Sequence, residues 1–313
     1  MAGRRDLPSI AEERGLADQL SSDEPLSKHT SYQIGGPADF FAVVEGSEQL
    51  CAWVALAREL RQPFLVMGRG TNMLVADRGY RGLIIKNRCV GYTLDAASHT
   101  LHAEAGVPLA RLARQMAETG SGGLEWAIGI PGTVGGAIVS NAGAHGGTVA
   151  GVLRQVSILD QQGHVRNLAL GELNLGYRNS RFRGTAPPRE IILAADLQLV
   201  PESITVLRER MDRYTAVRRA AQPREASAGS VFKNPPELKA GQLIDKAGLR
   251  GTSMGDAQIS HKHANYIVNT GHAKAEDVLQ LINLVKERIL LLFGVELELE
   301  IELVGEWQRD HPH

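Results

Sequence analysis

Two glycine-rich segments are the first candidates for chemistry, because exposed backbone N–H groups can bind an anion. Residues 68–75 read Gly-Arg-Gly-Thr-Asn-Met-Leu-Val and follow the apolar run at 64–67. Glycines allow successive N–H groups to converge into a nest for a pyrophosphate, and Thr71 and Asn72 can add side-chain hydrogen bonds. A glycine turn after a strand can also be only a turn. The segment is neither a P-loop nor a Gly-x-Gly-x-x-Gly motif that leads into a helix.

The second segment, residues 129–147, is denser in glycine and has mostly small residues between the glycines. A turn needs one or two glycines, so this density favours a bulky ligand lying against the backbone. His145 in this segment could act as a base, but a lone histidine among glycines is more often a surface residue. We therefore assign His145 no role.

Three shorter segments contain side chains that could bind or protonate a substrate. They read Gly-Tyr-Arg-Asn-Ser at 176–180, Ser-Ala-Gly-Ser-Val-Phe-Lys-Asn-Pro at 227–235 and Leu-Glu-Leu-Glu-Ile at 297–301. Taken singly, each has an ordinary explanation: a surface arginine, a serine that caps a turn, and the solvated face of a strand. Periodicity alone does not distinguish Glu300 from the other glutamates of its strand.

The elements that must position these segments show a mixed pattern of strands and helices. Apolar runs and alternation predict strands at residues 39–44, 64–67, 73–75, 83–86, 101–105, 154–160, 191–199 and 295–304. Helical spacing and caps predict a helix that begins at Ser47, a helix at 108–118, a helix at 203–219 capped by Ser203, and a C-terminal helix over 278–292 that Gly294 ends. Residues 1 to about 25 have no clean periodicity, so we expect a mobile or loosely helical extension.

Composition excludes several classes of function. The 313 residues include 34 Lys and Arg against 35 Asp and Glu, so no excess positive charge is present for nucleic acid or an anionic membrane. Two cysteines, Cys51 and Cys89, are too few for a disulfide framework. The N-terminus has no apolar run behind its basic residues, so we expect no secretory signal and a cytoplasmic protein.

Taken together, the two glycine-rich segments resemble the FAD-binding domain of the vanillyl-alcohol-oxidase type, in its UDP-N-acetylenolpyruvoylglucosamine reductase branch. The segments at 176–180, 227–235 and 297–301 are similar to that family's Tyr-Arg-(Asp/Asn)-Ser, Gly-Ser-x-Phe-Lys-Asn-Pro and Leu-Glu-x-Glu-Val motifs. The similarity runs from about Thr30 to Gly305. It departs at Leu299, where many members have proline, and the chain resembles the shorter type that lacks a long tyrosine-bearing insertion.

The resemblance implies an α+β fold with an FAD-binding domain in two α/β subdomains and a C-terminal α+β substrate-binding domain. The implied boundaries are an N-terminal extension at 1–25, FAD-binding subdomain 1 at 26–90 (joined by the C-terminal strand), FAD-binding subdomain 2 at 91–201, the substrate-binding domain at 202–305 and a tail at 306–313. Pro223 lies in a loop at a plausible boundary of the third region.

The resemblance also implies which residues bind the cofactor. The FAD pyrophosphate lies at the first segment, and the second segment lies along the flavin and its phosphates. The implied contacts are Gly68, Arg69, Gly70, Thr71, Asn72, Met73, Leu74, Gly129, Pro131, Gly132, Thr133, Gly135, Gly136, Ala137, Asn141, Ala142 and Gly143. No His or Cys stands where related oxidases attach the flavin covalently, and Cys89 lies outside both segments, so we expect non-covalent FAD.

For the chemistry, the resemblance implies that NADPH reduces FAD and that a hydride then passes from flavin N5 to C3 of UDP-N-acetylglucosamine enolpyruvate. The product would be UDP-N-acetylmuramate, a precursor of peptidoglycan. In this scheme Arg178 binds the substrate carboxylate, Ser230 protonates C2 and Glu300 stabilises the enol form. The implied substrate-binding residues are Tyr177, Lys233, Asn234 and Lys262. We expect a monomer with no metal.

Two other functions fit part of the sequence. A flavin oxidase of the same fold would explain both glycine-rich segments, but it leaves the segments at 227–235 and 297–301 without a purpose. A non-catalytic nucleotide-binding module would bind these ligands without turning over NADPH. Rapid reoxidation by air after dithionite reduction would indicate the oxidase.

Overall fold

The computed structural model describes residues 6–184 and 190–307, and within them the chain forms two compact units. Unit 1 consists of the described residues within Met1–Ser22, Phe40–Gly68 and Gly82–Val217. Unit 2 consists of those within Asp23–Asp39, Arg69–Arg81 and Arg218–His313. Residues 1–5 of the expected extension and 308–313 of the expected tail lie outside the described residues.

Helices and strands both contribute, as an α+β fold requires. The α-helices are α1 (Leu7–Glu13), α2 (Ser47–Glu59), α3 (Leu109–Glu118), α4 (Val134–Val139), α5 (Ile204–Ala221), α6 (Ala240–Lys246) and α7 (Ala275–Phe293). The strands are β1 (Leu20–Pro25), β2 (Pro37–Val44), β3 (Phe64–Met67), β4 (Met73–Val75), β5 (Tyr80–Asn87), β6 (Tyr92–Asp95), β7 (Thr100–Glu104), β8 (Ser121–Gly122), β9 (Gly143–Ala144), β10 (Gly147–Thr148), β11 (Leu153–Leu159), β12 (Val165–Ala169), β13 (Ile191–Gln198), β14 (Val200–Pro201), β15 (Ser253–Met254), β16 (Ala257–Ile259), β17 (Ile267–Asn269) and β18 (Glu302–Val304).

Unit 1 is built around a five-stranded antiparallel sheet with the order β12-β11-β13-β7-β6. One face of this sheet packs against the apolar side of α3, where Leu109, Leu112 and Met116 recur at helical spacing and are buried. The short helix α4 joins the same core through Val134 and Ile138. This core therefore supports the glycine-rich segment of which α4 is a part.

A second sheet has the order β1-β2-β5-β3, in which β3 and β5 are parallel. Helix α2 belongs to the core beside it, and α1 adds Leu7, Ile10 and Ala11 to the same core. Of the mobile or loosely helical extension that we expected, α1 confirms a helix, but the helix is not loose, because these three side chains pack as part of unit 1. Ser47 is the first residue of α2 and not its cap; the cap is Gly46, and the Ser47 hydroxyl bonds Glu104 instead.

Unit 2 contains a three-stranded antiparallel sheet, β15-β16-β17, and the long helix α7 in one core. Helix α7 ends at Gly294, which adopts φ 66° as a left-handed cap. Strand β18 pairs in parallel with β4. The predicted strand over 295–304 was too long, because β18 covers only Glu302–Val304 and a single isolated bridge joins Leu299 to Phe232, although Leu297 and Ile301 are buried as the alternation predicted.

The other predicted elements are confirmed to within a few residues. They are β2, β3, β4, β5, β7, β11 and β13 among the strands and α2, α3, α5 and α7 among the helices. The sequence analysis did not predict α6 or the strands β15, β16 and β17, whose few residues carry too little periodicity.

Tyr32 joins two distant parts of unit 2, since its fully buried hydroxyl donates to the Ile267 carbonyl at 2.9 Å. Burial also raises the pKa of this phenol, so it stays protonated as a donor. We expect Tyr32→Phe to lower the free energy of unfolding by about 1–2 kcal/mol, because the carbonyl loses its partner. Urea denaturation measures this. Tyr80→Phe is the control, since no hydrogen bond of the Tyr80 hydroxyl occurs within residues 6–184 and 190–307, and an equal loss there would contradict the explanation.

Candidate active site

The first glycine-rich segment runs from the end of β3 to the start of β4. Gly70 adopts φ 63°, a left-handed conformation that favours glycine. Its carbonyl accepts a bond from the Ser31 N–H at 3.0 Å, and the Ser31 hydroxyl donates to the Ser227 carbonyl at 2.7 Å. Ser31, which sequence reasoning missed, thus connects the first glycine-rich segment to the start of the 227–235 segment.

Asn72 attaches the same segment to the candidate glutamate. Its side-chain amide donates to the Glu300 carbonyl at 3.1 Å, and its own carbonyl accepts from the Glu302 N–H at 3.0 Å. The Asn72 side chain is therefore engaged with the backbone of the glutamate segment. Its predicted contact with the cofactor stays a prediction.

Ser230 and Glu300 are brought to neighbouring positions by a short antiparallel pairing. The Glu300 N–H donates to the Val231 carbonyl at 2.8 Å, and the Lys233 N–H donates to the Glu298 carbonyl at 2.9 Å. Glu300 is half-buried, whereas Glu298 is exposed. Burial thus distinguishes Glu300 from Glu298, which periodicity alone did not.

The predicted substrate-binding residues of unit 2 each have a partner within the unit. Lys233 forms an ion pair with Glu298 at 2.9 Å. Asn234 accepts from the first N–H of α6, that of Ala240, at 3.0 Å. Lys262 donates to the Arg219 carbonyl at 2.5 Å. A substrate that binds these side chains would have to replace or share these contacts.

The second glycine-rich segment, in unit 1, is not simply a loop, because Thr133 caps α4 by accepting from the Gly136 N–H at 3.3 Å. Much of its glycine content is explained by packing within the protein. A Cβ at Gly147 would lie 2.3 Å from the Trp126 ring. In the first glycine-rich segment, a Cβ at Gly68 would lie 2.7 Å from the Thr133 hydroxyl. Packing within the protein is therefore a sufficient reason for some of these glycines, and contact of the segment with a ligand stays a prediction.

Gly135 and Gly143 are explained in the same way. A Cβ at Gly135 would lie 2.9 Å from the Ala105 methyl, and one at Gly143 would lie 2.7 Å from the Gly147 carbonyl. Gly136 differs, because a Cβ there would meet only the Thr133 hydroxyl, at an ordinary 3.6 Å. Gly136 is thus a position of this segment where a small residue is not required by neighbouring protein atoms.

Arg178 lies in a tight turn that is bound to this segment. The residue has φ 51°, which is uncommon for a residue with a side chain and marks local strain. Its guanidinium donates to the Gly143 carbonyl at 3.1 Å. Asn141 donates to the Gly176 carbonyl at 2.9 Å, and Ser180 donates to the Val139 carbonyl at 2.7 Å. Three side chains therefore hold the arginine turn against the glycine-rich segment.

Aromatic rings lie close to the second glycine-rich segment and the arginine turn of unit 1. His145 stacks on Tyr214 of α5 with ring centroids 4.2 Å apart, so it is packed and not a surface residue as expected. Tyr177 is 58% exposed beside Arg178.

Burial, together with Glu104, raises the pKa of the Cys89 thiol to about 12, which makes that thiol a poor nucleophile for covalent attachment of a flavin.

The chain matches two known sequence families. Residues 38–169 match the family described as "FAD binding domain", and residues 222–304 match "UDP-N-acetylenolpyruvoylglucosamine reductase, C-terminal domain". The UDP-N-acetylenolpyruvoylglucosamine reductase of Heliobacterium modesticaldum is 40% identical over 295 residues, which cover 94% of this chain and 93% of that protein. The chain belongs to the UDP-N-acetylenolpyruvoylglucosamine reductase family.

Two further relatives agree with this assignment. UDP-N-acetylenolpyruvoylglucosamine reductase 2 of Symbiobacterium thermophilum is 42% identical over 300 residues, covering 96% of both chains. The crystal structure of the Thermus caldophilus enzyme matches with a TM-score of 0.77 at 36% identity and covers 91% of this chain and 98% of that one. Membership of the reductase family confirms the resemblance, the α+β fold with its FAD-binding domain, and an enzyme that uses FAD.

The geometry of the two segments suits this cofactor. Within the described ranges 6–184 and 190–307, no acceptor bonds the N–H groups of Gly70 and Thr71, which are of the kind that bind phosphate oxygens. Gly136 leaves its segment open to a close ligand. No helix of the described residues is long and apolar enough to cross a membrane, and those residues contain no cluster of side chains suited to a metal ion.

Gly136 provides a test of where the flavin lies. We expect Gly136→Leu to purify folded but without flavin absorbance, because the added side chain has room beside the protein but would occupy space that FAD needs. Gly171→Leu is the matched control, since a Cβ at Gly171 has no neighbour within 4 Å, and it should keep its flavin. Thermal unfolding by circular dichroism shows whether each variant is folded. Full FAD occupancy in Gly136→Leu would remove this segment from the cofactor site.

Proposed function

We propose that this chain reduces UDP-N-acetylglucosamine enolpyruvate to UDP-N-acetylmuramate, with NADPH as the source of electrons, in the synthesis of the peptidoglycan precursor. Membership of the reductase family supports the reaction class. The observation that supports the assignment to named residues is the backbone bond from Glu300 to Val231, the residue that follows Ser230. The chemistry that bound FAD supplies is transfer of a hydride from NADPH to C3 of the enolpyruvyl group.

Arg178 is suited to hold the substrate carboxylate. Addition of a hydride at C3 places negative charge on C2 and on the adjacent carboxylate, and a guanidinium can stabilise it with two parallel hydrogen bonds. The bond from Arg178 to the Gly143 carbonyl and the strained turn fix the direction of this side chain. Strain of this kind is typical of residues that are held ready for a ligand.

Ser230 is suited to protonate C2, and Glu300 to stabilise the enol. A serine hydroxyl is a weak acid, so it can donate only to a strongly basic centre such as the developing carbanion. The backbone bond from the Glu300 N–H to the Val231 carbonyl supports this proposal, because it joins residue 300 to the residue after Ser230. Glu300 in its protonated form would donate to the substrate carboxylate.

The remaining assignments are part of the same proposal. Tyr177, Lys233, Asn234 and Lys262 would bind the substrate, and the predicted FAD contacts would bind the cofactor, as the family motifs imply. The domain boundaries at 90 and 201, the monomeric state and the cytoplasmic location also stay predictions.

Replacement of Arg178 by lysine tests the carboxylate clamp. We expect Arg178→Lys to retain FAD but to lose turnover by roughly 10²-fold or more, because lysine keeps the charge and loses the planar two-point contact. Steady-state oxidation of NADPH with the enolpyruvyl substrate measures this. Arg181→Lys is the control, since Arg181 pairs with Glu190 in the same region. Near-normal turnover in Arg178→Lys would show that another cation holds the carboxylate.

Ser230 can be tested by separating the two half-reactions, since only the second needs an acid. In Ser230→Ala, anaerobic mixing with NADPH should bleach the flavin at close to the parent rate. Addition of the enolpyruvyl substrate to the reduced enzyme should restore the colour at least ~10²-fold more slowly, the lower range for a lost general acid. Stopped-flow absorbance measures both rates.

Two comparisons make the Ser230 result specific. Ser227→Ala is the matched control, because Ser227 contributes its carbonyl to Ser31. Equal slowing of both half-reactions in Ser230→Ala would assign the serine to the fold or the cofactor. Rapid reoxidation of the reduced parent enzyme by air would favour an oxidase, and binding without oxidation of NADPH would favour a nucleotide-binding module.

A further inference from the structure

Asn265 is a buried polar residue that sequence reasoning did not select, and its side chain is bonded entirely to one neighbouring residue. Its amide oxygen accepts from the Phe232 N–H at 2.9 Å, and its amide nitrogen donates to the Phe232 carbonyl at 2.8 Å. Its backbone carbonyl accepts from the Val231 N–H at 2.8 Å. Only 4% of Asn265 is exposed, so water does not compete for these bonds.

These bonds lie on the opposite edge of the segment from the glutamate pairing. Val231 and Lys233 bond residues 298–300 through one edge of the backbone. Asn265 satisfies the other edge at Phe232, as a third strand would. The residues directly after Ser230 are therefore held from both sides, and the Glu300 N–H is bonded to this same segment.

Asparagine is well matched to this position by its chemistry. A primary amide carries a donor and an acceptor in one plane, so it can pair with both polar groups of a single peptide residue. Aspartate in its charged form lacks the donor, and alanine lacks both groups. Each buried polar group of Phe232 left without a partner would cost about 1–3 kcal/mol.

The turn that carries Asn265 is itself well fixed. The Ser260 hydroxyl accepts from the N–H groups of Lys262 and His263, and the Ser260 N–H donates to the Tyr266 carbonyl at 2.8 Å. The His263 Nδ1 accepts from the Asn265 N–H at 3.3 Å. Burial lowers the pKa of His263, which favours the neutral ring that can accept this bond.

We propose that Asn265 is a positioning residue for proton delivery, which holds the 231–233 segment so that Ser230 and Glu300 keep their relative placement. This proposal rests on the proposed roles of Ser230 and Glu300. Asn265 acts through the backbone of Phe232 and Val231 and touches no reacting atom. It should therefore affect the step that needs the acid and leave reduction of the flavin unchanged.

Asn269 offers a matched control within the same unit. It is also buried, and its side-chain amide donates to the Tyr32 carbonyl at 3.1 Å and accepts from the N–H groups of Gly271 and Ala273. Asn265→Ala and Asn269→Ala thus remove the same buried side chain, and each leaves three or fewer backbone groups without its amide. Both variants should lose stability, but only the Asn265 side chain bonds a residue that follows Ser230; the Asn269 N–H bonds the Ala226 carbonyl, which precedes it, and the alanine variant keeps that backbone bond.

The experiment compares the two variants in both half-reactions. In Asn265→Ala we expect NADPH to bleach the flavin within about twofold of the parent rate, and the enolpyruvyl substrate to reoxidise it roughly 10- to 10²-fold more slowly, the effect of a small misplacement. Asn269→Ala should change neither rate by more than about twofold. Equal slowing of reoxidation in the two variants, or no slowing in Asn265→Ala, would overturn the proposal.

Two further measurements cover the other outcomes. If Asn265→Ala does not fold, Asn265→Asp replaces it. The ratio of its reoxidation rate to that of the parent should rise as the pH falls, because a protonated carboxyl regains the hydrogen-bond donor. A ratio that does not change with pH would overturn the proposal. Amide hydrogen exchange should be faster at Phe232 and Glu300 in the Asn265 variant than in the Asn269 variant. This difference in hydrogen exchange tests the positioning role of Asn265 and does not depend on Ser230 being the acid. The role of Ser230 is tested by Ser230→Ala, and a normal reoxidation rate in that variant would refute it independently.

Discussion

A row of hydrogen bonds between four distant parts of the chain determines where the candidate proton-handling residues of unit 2 lie. Asn72 bonds the backbone of Glu300, the Glu300 N–H bonds Val231, and Asn265 bonds Val231 and Phe232. Each bond lies in a partly or fully buried place, where an unmade bond is costly. Hydrogen bonds therefore connect the first glycine-rich segment, the segment at 227–235 and the segment at 297–301 within unit 2.

In unit 1, side-chain hydrogen bonds hold the turn that contains Arg178. There the side chains of Asn141 and Ser180 bind the arginine turn to the second glycine-rich segment. Gly143 is packed closely against the Gly147 carbonyl, and its own carbonyl accepts the bond from the Arg178 guanidinium. In both units, short side chains that bond the backbone hold the candidate catalytic residues, whose own positions are not in long regular elements.

Sequence reasoning succeeded where the information is local or matches a family motif. The alternation in 295–304 and the helical spacing before Gly294 predicted the buried side of the last strand and the end of α7. It failed where partners are distant in the chain. Ser31 bonds Ser227 across 196 residues, and no local pattern reports such a pair. For the same reason, glycines that pack against Trp126 or Thr133 could not be distinguished from glycines that face a ligand.

Leu299, where this chain departs from the proline of the family pattern, is explained by the same row of hydrogen bonds. Residues 298–300 pair with residues 231–233 in antiparallel direction, and Leu299 lies opposite Phe232. Leu299 and Phe232 form a non-hydrogen-bonded pair, because the bonds of this pairing come from the N–H groups of Glu300 and Lys233. Proline lacks an N–H, so it can occupy position 299 without the loss of a bond from this pairing. Leucine in place of proline therefore leaves the two bonds of this pairing intact, and the role of Glu300 stays a prediction.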